Sequence, residues 1–304
     1  MSPSVAPVLV VLAAGAARRY GGCKPLAPAG PSAEAVIDLV ANDALASGFG
    51  AIVLVVHPET GPAIRYHVER CWPSSVNVSF AEQRVPLGTT HATLAARSLV
   101  GSEDPFAVAN ADDVYGLEAF DLLSHQLTEN HHEHALVGFE LAHTVVTDDP
   151  VTRGICEVDA SDHLVTMTER RKVSRMSGGN DFSSLDGLQP DELPGDATVS
   201  VNLWGFRPEI WEVFDAAMDA SGLDEAAILD QIARGVEVPK AEVLLPEVVG
   251  SAIASGTGLP VRVLRTDTKC LGVTHADDLP VVQGELARQV AWGIRPSRLW
   301  ANVS

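Results

Sequence analysis

The sequence has few cysteines, and none of them are paired in a motif. Its 4 cysteines are Cys23, Cys71, Cys156 and Cys270, which lie far apart and form no C-x-x-C. Such spacing disfavours a disulfide framework and a zinc knuckle, and it favours reduced thiols. We therefore expect a cytoplasmic protein.

Positive charge is also scarce. The chain has 21 lysines and arginines against 40 aspartates and glutamates, which gives a net charge of −19. General binding to nucleic acid or to an anionic membrane needs a basic face, so we expect neither partner. A small anionic substrate stays compatible with this charge, because a local cationic pocket with Mg²⁺ can overcome the global field.

Long hydrophobic runs are missing as well. The N-terminal apolar run, residues 8–14, is too short for a membrane span, and no cationic region precedes it. With 304 residues, of which 46% are hydrophobic and 20% charged, the chain can bury a large core in one domain or two lobes.

The first motif follows this apolar run. The run is β-branched and ends at Gly15, which predicts a buried strand, and the turn after it carries small residues, Arg19 and then Lys24. Neither G-x-G-x-x-G nor G-x-x-x-x-G-K-[ST] is present, which disfavours a dinucleotide dehydrogenase and a P-loop ATPase. Exposed amides with two separated cations indicate a polyphosphate site. The alternative is an ordinary basic loop after a buried strand.

The second motif is the acidic turn that contains Asn110, Asp112 and Asp113, directly after another apolar run. Adjacent carboxylates repel each other unless a cation compensates them, and Mg²⁺ takes one or two protein carboxylates together with phosphate oxygens. The alternative is a turn in which the aspartates bind backbone amides.

The order of elements predicts an α/β fold. Strands alternate with helices in the first part of the chain, which predicts a doubly wound parallel sheet with ligands at the carboxyl ends of its strands. The predicted strands there are 8–13, 51–56, 76–80 and 105–109, and the helices are 33–47, 61–70 and 90–99. From about residue 135 we expect an antiparallel-rich lobe with strands at 135–141, 153–158, 163–168 and 198–206, and an exposed loop at 177–196. Helices at 208–220, 223–234 and 246–254, a strand at 261–267 and a helical tail at 278–293 follow.

These motifs resemble those of the sugar-1-phosphate nucleotidyltransferases, in particular the glucose-1-phosphate thymidylyl- and uridylyltransferases. Their opening motif, L-A-(A/G)-G-x-G-(S/T)-R with a later lysine, matches Leu12, Ala13, Ala14, Gly15, Arg19 and Lys24, while Ala17 departs from it. The resemblance implies that residues 12–15 bind the nucleotide. It also implies that Arg19 holds the leaving pyrophosphate and that Lys24 stabilises the transition state at the α-phosphate.

The other motifs of the family supply the remaining candidates. Asp112 aligns with the metal ligand, and Gln83, Gly88 and Thr89 fall in the segment that contacts the nucleotide. The resemblance assigns the sugar phosphate to Asn110, Gly154, Glu169, Arg170 and Asn202. The family's second metal-binding aspartate is replaced by Gly272, which leaves Asp267 as the nearby candidate.

The resemblance implies a Rossmann-like nucleotidyltransferase fold (GT-A-like) with a mixed, mostly parallel sheet. We expect a domain over 1–265, with a nucleotide-binding lobe at 1–116 and a sugar-phosphate-binding lobe at 117–265, and a C-terminal helical extension at 266–304. The implied reaction joins an NTP and a sugar-1-phosphate into an NDP-sugar and pyrophosphate, with Mg²⁺ and direct in-line attack.

Two alternatives stay open from the sequence. One is transfer to another phospho-acceptor, such as a cyclitol phosphate or phosphocholine. The other is a non-catalytic, nucleotide-binding regulatory protein. The base, the sugar and the formation of a homo-oligomer are not determined.

Overall fold

A computed structural model describes residues 5–15, 22–130, 132–147, 149–177, 179–236, 241–273 and 276–301. The first part of the chain alternates strands and helices. These are β1 (Val8–Ala13), α1 (Val36–Ala46), β2 (Ala51–Val56), α2 (Gly61–Cys71), β3 (Val78–Glu82), α3 (Thr89–Ala95), β4 (Phe106–Asn110), β5 (Asp113–Val114) and α4 (Leu117–Glu129).

The second part is richer in strands and ends in helices. Its elements are β6 (His134–Glu140), β7 (Val151–Val158), β8 (Leu164–Arg175), β9 (Phe182–Ser184), β10 (Glu192–Leu193), β11 (Thr198–Phe206), α5 (Ile210–Ser221), α6 (Glu225–Ala233), α7 (Leu245–Ser255), β12 (Val261–Thr266), β13 (Leu271–Gly272) and α8 (Leu279–Ala291).

One sheet runs through both parts of the chain. The parallel strands lie in the order β3-β2-β1-β4, and β11 joins them by pairing antiparallel with β4. Beyond β11 the sheet continues antiparallel through β7, β8, β9 and β10, while β6 pairs with β11 and β12. The predicted mixed, Rossmann-like α/β fold is confirmed. The division into two lobes stays a prediction.

The central strands are covered on both faces. In β1, Leu9 and Val11 belong to the apolar cluster that includes α1 and α4, whereas Val8 and Val10 belong to the cluster on the other face. A strand that is buried on both faces reads as a continuous apolar run rather than an alternating one. This double burial explains why β1 could be predicted from the sequence.

Two segments differ from expectation. The predicted exposed loop at 177–196 contains β9 and β10, which pair with each other and bury Phe182 and Leu193. The predicted helical extension at 266–304 includes β13, which pairs antiparallel with β5. Short strands with polar neighbours give little periodic signal, so both were missed. Among the described helices, none has the length and apolarity to cross a membrane.

Candidate active site at the carboxyl ends of the parallel strands

Lys24 and Asp112 form an ion pair where β1 and β4 end. The Lys24 Nζ lies 2.9 Å from Asp112 Oδ2, and both side chains are partly exposed. Because β1 and β4 are parallel neighbours, their carboxyl ends meet at one edge of the sheet. A cavity of about 100 Å³ lies there and is lined by Leu12, Ala13, Gly15, Lys24, Pro25, Ala111 and Asp112. Five of the predicted nucleotide-binding and catalytic residues therefore line one space.

Another described residue of the opening motif, Ala14, lies elsewhere. Ala14 is buried in the apolar cluster that contains Val8 and Val10, so it contributes to the core. Arg19 falls outside the described residues, and its predicted role stays a prediction.

A chain of hydrogen bonds orients the side chain of Asp113, the residue after Asp112. Trp204 Nε1 donates to Asn202 Oδ1 (2.8 Å), and Asn202 Nδ2 donates to Asn110 Oδ1 (2.8 Å). Asn110 Nδ2 then donates to Asp113 Oδ2 at 2.9 Å. The network joins β11 to β4 and orients both asparagines, since each amide has a donor and an acceptor engaged.

Asn202 occupies an irregular point of β11. Its φ is 65°, and the pairing register between β11 and β6 shifts between Ser200 and Trp204. Asparagine tolerates this left-handed conformation better than most residues. The hydroxyl of buried Tyr115 donates to the carbonyl of Val201 at this irregularity (3.1 Å). The sequence indicated a strand here but not the break that turns Asn202 toward Asn110.

Electrostatics at Asp113 differ from those at an ordinary surface aspartate. Burial, followed by the neighbouring charge of Asp112, raises the pKa of Asp113 from 3.8 to about 6. The Asn110 amide and the charges of Arg153 and Lys24 act in the opposite direction. Burial and a neighbouring negative charge disfavour the ionised form of this carboxylate, and a nearby cation would stabilise that form.

A second cavity, of about 240 Å³, adjoins Asp113, and we call it the polar cavity. Four of the five residues predicted to bind the sugar phosphate line it: Asn110, Gly154, Glu169 and Asn202. Its other lining residues are Asp113, Thr152, Arg153, Met167, Ser200, Val201, Leu244, Pro246 and Glu247. A Cβ at Gly154 would lie 2.9 Å from Met167 Sδ, so this glycine allows close packing of β7 on β8.

Two charged residues of the polar cavity, Arg153 and Glu247, were not predicted from the sequence. Arg153 directly precedes Gly154, and its adjacency to that motif was the available signal. Glu247 belongs to α7, far along the chain from β8, and no local pattern indicates that the two elements meet.

Arg170, the fifth predicted residue, does not line the polar cavity. Its guanidinium is buried and donates to the Asp186 carboxylate (2.8 and 3.2 Å) and to the carbonyls of Leu188 and Pro190. Successive residues of a strand point to opposite faces, so Glu169 and Arg170 cannot both face the cavity from a regular β8. In the structure Arg170 anchors the loop at 186–190 and is not brought together with the other four residues, and its contact with the sugar phosphate stays a prediction.

The predicted base-contacting residues lie beyond the end of β3. The amide nitrogen of buried Gln83 is engaged by the Gly88 carbonyl (2.9 Å) and His91 Nδ1 (3.2 Å). Gly88 has φ 100°, and a Cβ there would lie 2.4 Å from the carbonyl oxygen of Val243. Thr89 Oγ1 accepts a hydrogen bond from the backbone N–H of Leu245 (2.8 Å). Gly88 and Thr89 therefore hold the segment before α7 in addition to any ligand role.

Asp267, the candidate second metal ligand, does not line the cavities that contain Asp112 and Asp113. Asp267 lines a different cavity, of about 550 Å³, together with residues of α4 and α8. Gly272 pairs with Asp113 across β13 and β5, and a Cβ at Gly272 would lie 2.7 Å from Asp113 Oδ1. Asp113 thus fills the space next to the position that carries an aspartate in the resembling family.

A family model described as nucleotidyl transferase matches residues 9–237. The chain belongs to the nucleotidyl transferase family. This match extends from β1 to α6 and includes the ends of β1 and β4, where the cavity with Lys24 and Asp112 lies. The predicted family and enzyme class are confirmed, and the open alternative of a non-catalytic protein is disfavoured.

The fold of this nucleotidyl transferase is similar to that of a solved inositol-1-phosphate CTP transferase from T. maritima. The two share 16% sequence identity with a TM-score of 0.61, over 95% of this chain and 98% of the other. At this identity the likeness establishes the fold. No curated protein sequence gave a significant match.

Proposed function

We propose that this nucleotidyl transferase joins an NTP and a sugar-1-phosphate into an NDP-sugar and pyrophosphate. The observation that carries the proposal is the juxtaposition of the Lys24–Asp112 pair, at 2.9 Å, with the polar cavity next to Asp113. The first site suits a polyphosphate and the second a polar acceptor. A phosphate oxygen of the acceptor would attack the α-phosphorus in line, so no protein nucleophile is required.

The chain's own residues supply positioning and charge. Residues 12–15 would bind the nucleotide, with Gln83 and Thr89 toward the base side. Lys24 would stabilise the charge that develops at the α-phosphate, as fixed cations do in such sites. Asn110, Glu169 and Asn202 would orient the acceptor. With the exception of Asn110, this division follows the predicted nucleotide-binding lobe at 1–116 and sugar-phosphate-binding lobe at 117–265.

The acidic turn fits a divalent cation, and we propose Mg²⁺. Asp112 and Asp113 offer carboxylates at the junction of the two cavities, and no described group of three or more His, Cys, Asp or Glu residues forms a self-sufficient metal site. Mg²⁺ commonly takes only one or two protein carboxylates and completes its shell with phosphates and water. When bound, it would neutralise phosphate charge.

A cyclitol phosphate is a second candidate acceptor. The similarity of fold to an inositol-1-phosphate CTP transferase favours testing it beside the sugar phosphates. Both acceptors are polyhydroxylated phosphate monoesters, so the carboxylates and amides of the polar cavity suit either.

The test is pyrophosphate release with each NTP, screened against glucose-1-phosphate, myo-inositol-1-phosphate and phosphocholine with Mg²⁺. We expect turnover with one of the first two. Lys24→Ala should lower it by two or more decades, since such groups contribute about 3 kcal/mol or more to the transition state. No turnover for any pair, or near-normal turnover of Lys24→Ala, would contradict the proposal.

A further inference from the structure

We infer that Arg153 binds the phosphate of the acceptor, the role that the resemblance assigned to Arg170. The inference rests on the proposed function. Among the described residues that line the polar cavity, Arg153 is the one lysine or arginine. A phosphate monoester that enters this cavity would meet no other described lysine or arginine in its lining.

The guanidinium of Arg153 is held in place by neutral groups. Its Nε donates to Thr144 Oγ1 (2.9 Å), and its Nη1 donates to the Thr152 carbonyl (2.8 Å). Its Nη2 donates to the carbonyl of Thr144, a buried residue. These contacts engage three of the five N–H groups of an arginine and leave two for a ligand. The fixed fork lowers the entropy lost when an anion binds.

Among the described residues, no carboxylate forms an ion pair with Arg153. The two arginines of β8 differ in this respect, because Arg170 pairs with Asp186 (2.8 Å) and Arg171 pairs with Glu169 (2.8 Å). Arg153 is therefore the available cation at the cavity, whereas Arg170 would have to leave a buried ion pair.

The charge pattern also orients the acceptor. Glu169 and Glu247 line the cavity and would repel a phosphate but accept hydrogen bonds from hydroxyl groups. Arg153 lines the same cavity as Asn110 and Asp113, which belong to the turn that contains Asp112. A phosphate bound at Arg153 would therefore lie toward the catalytic turn, with the hydroxylated body toward Glu169 on β8 and Glu247 on α7.

The experiment compares Arg153→Gln and Arg153→Lys with the wild type, and uses Arg234→Gln as the control. Arg234 is exposed just after α6, pairs with Asp230 of that helix and does not line the cavity. Arg153→Gln should raise the KM for the acceptor about 10-fold or more, as expected for a lost charge-assisted hydrogen bond, with little change in the KM for NTP. The KM of Arg153→Lys for the acceptor should fall between those of Arg153→Gln and the wild type, and Arg234→Gln should resemble the wild type.

A binding measurement separates this inference from the proposed reaction. Inorganic phosphate is titrated by calorimetry into the wild type and each variant without NTP, and thermal melting checks that the variants are folded. If folded Arg153→Gln loses phosphate binding and Arg234→Gln keeps it, the inference is supported even if no turnover is found. Equal binding by the wild type and Arg153→Gln, no binding by the wild type, or equal rises in both KM values would overturn it.

Discussion

At the scale of single residues, the adjacent carboxylates Asp112 and Asp113 have different environments. Asp112 lines the cavity of the opening motif and pairs with Lys24, whereas Asp113 lines the polar cavity and accepts from Asn110. One carboxylate therefore lines the cavity proposed for the nucleotide, and the other lines the cavity proposed for the acceptor. This difference predicts distinct effects of the same substitution.

Asp112→Asn should abolish Mg²⁺-dependent turnover, and Asp113→Asn should lower it less. A neutral amide keeps the shape but loses the charge that binds a hard cation. Rates at several Mg²⁺ concentrations would test the order, with Asp121→Asn on α4 as a control. Equal losses, or the reverse order, would show that Asp113 is the main ligand.

The environment of Asp113 also predicts that Asp113→Asn stabilises the folded protein, although the same substitution should lower turnover. The folded state holds the pKa of Asp113 above its ordinary value. The contribution of Asp113 to the stability of the wild type therefore falls as pH rises from about 3.8 to about 6. Asp113→Asn removes this titration, and its stability relative to the wild type should increase across that window and stay constant above it. Urea denaturation in EDTA at pH 4 to pH 7 measures this. A pH-independent difference would contradict the environment described for Asp113.

Motif spacing identified most of the residues that line the two cavities but not the direction of every side chain. The proximity of Lys24 and Asp112 could be predicted from the sequence because each follows a buried parallel strand. The direction of the Arg170 side chain was not predicted, because a motif match carries no information on strand faces. The alternation of side chains along β8 was the available signal. Glu247 depends on tertiary packing, which no local pattern encodes.

At the scale of elements, the start of α7 connects the two sides of the site. The segment before it lies against Gly88 and Thr89, and Leu244, Pro246 and Glu247 then line the polar cavity. Thr89 Oγ1 accepts from the Leu245 N–H, which is a first-turn donor of α7. Such donors have no partner within their own helix.

Thr89→Val should loosen this connection. It removes the acceptor but keeps the volume, and an unpaired buried donor costs roughly 1–3 kcal/mol. We expect a lower Tm and a higher KM for the acceptor. Thr93→Val is the matched control, because Thr93 Oγ1 donates to the Thr89 carbonyl within α3. A change confined to the KM for NTP would mean that Thr89 acts on the nucleotide alone.

The contact of Glu133 with Arg262 on β12 and His163 just before β8 predicts that the stability of the fold decreases at acidic pH. Glu133, just before β6, accepts from Arg262 Nε on β12 (2.8 Å) and lies 2.8 Å from His163 Nε2. The Arg262 hydrogen bond is the main cause that lowers the pKa of Glu133 from 4.5 to about 2. A lowered carboxylate pKa stabilises the fold fully above pH 4.5, and this stabilisation is lost as pH falls toward 2.

Glu133→Gln should therefore be less stable than the wild type at pH 7, and the difference should shrink between about pH 4.5 and pH 2. Unfolding free energies from urea titrations along this pH range test the prediction. Glu129→Gln, at an exposed position of α4, should show no such trend. A constant difference down to pH 2 would mean that packing, not charge, explains any loss.

At the scale of the whole molecule, residues after α8 contact α1 and the end of α2. The backbone N–H of Trp300 donates to Asn42 Oδ1 (2.7 Å). The Trp300 ring packs on the Trp72 ring, with centroids 5.3 Å apart. Arg295 donates to both oxygens of Asp43 at 2.8 and 2.7 Å, and both side chains are buried. These contacts join residues about 250 positions apart, beyond the span of the family model, so spacing within motifs could not predict them.

Arg295→Met should destabilise the protein strongly. Burial raises the pKa of Asp43, and the charge of Arg295 is the main cause that offsets it, so the substitution leaves a buried carboxylate without compensation. Breaking a buried pair on one side typically costs about 3–5 kcal/mol, whereas replacing both partners with apolar residues is often near neutral. The double variant Arg295→Met/Asp43→Leu should therefore regain most of the lost stability in urea denaturation at pH 7. If the double variant is as unstable as Arg295→Met, the pair stabilises the chain through its specific geometry rather than through charge compensation.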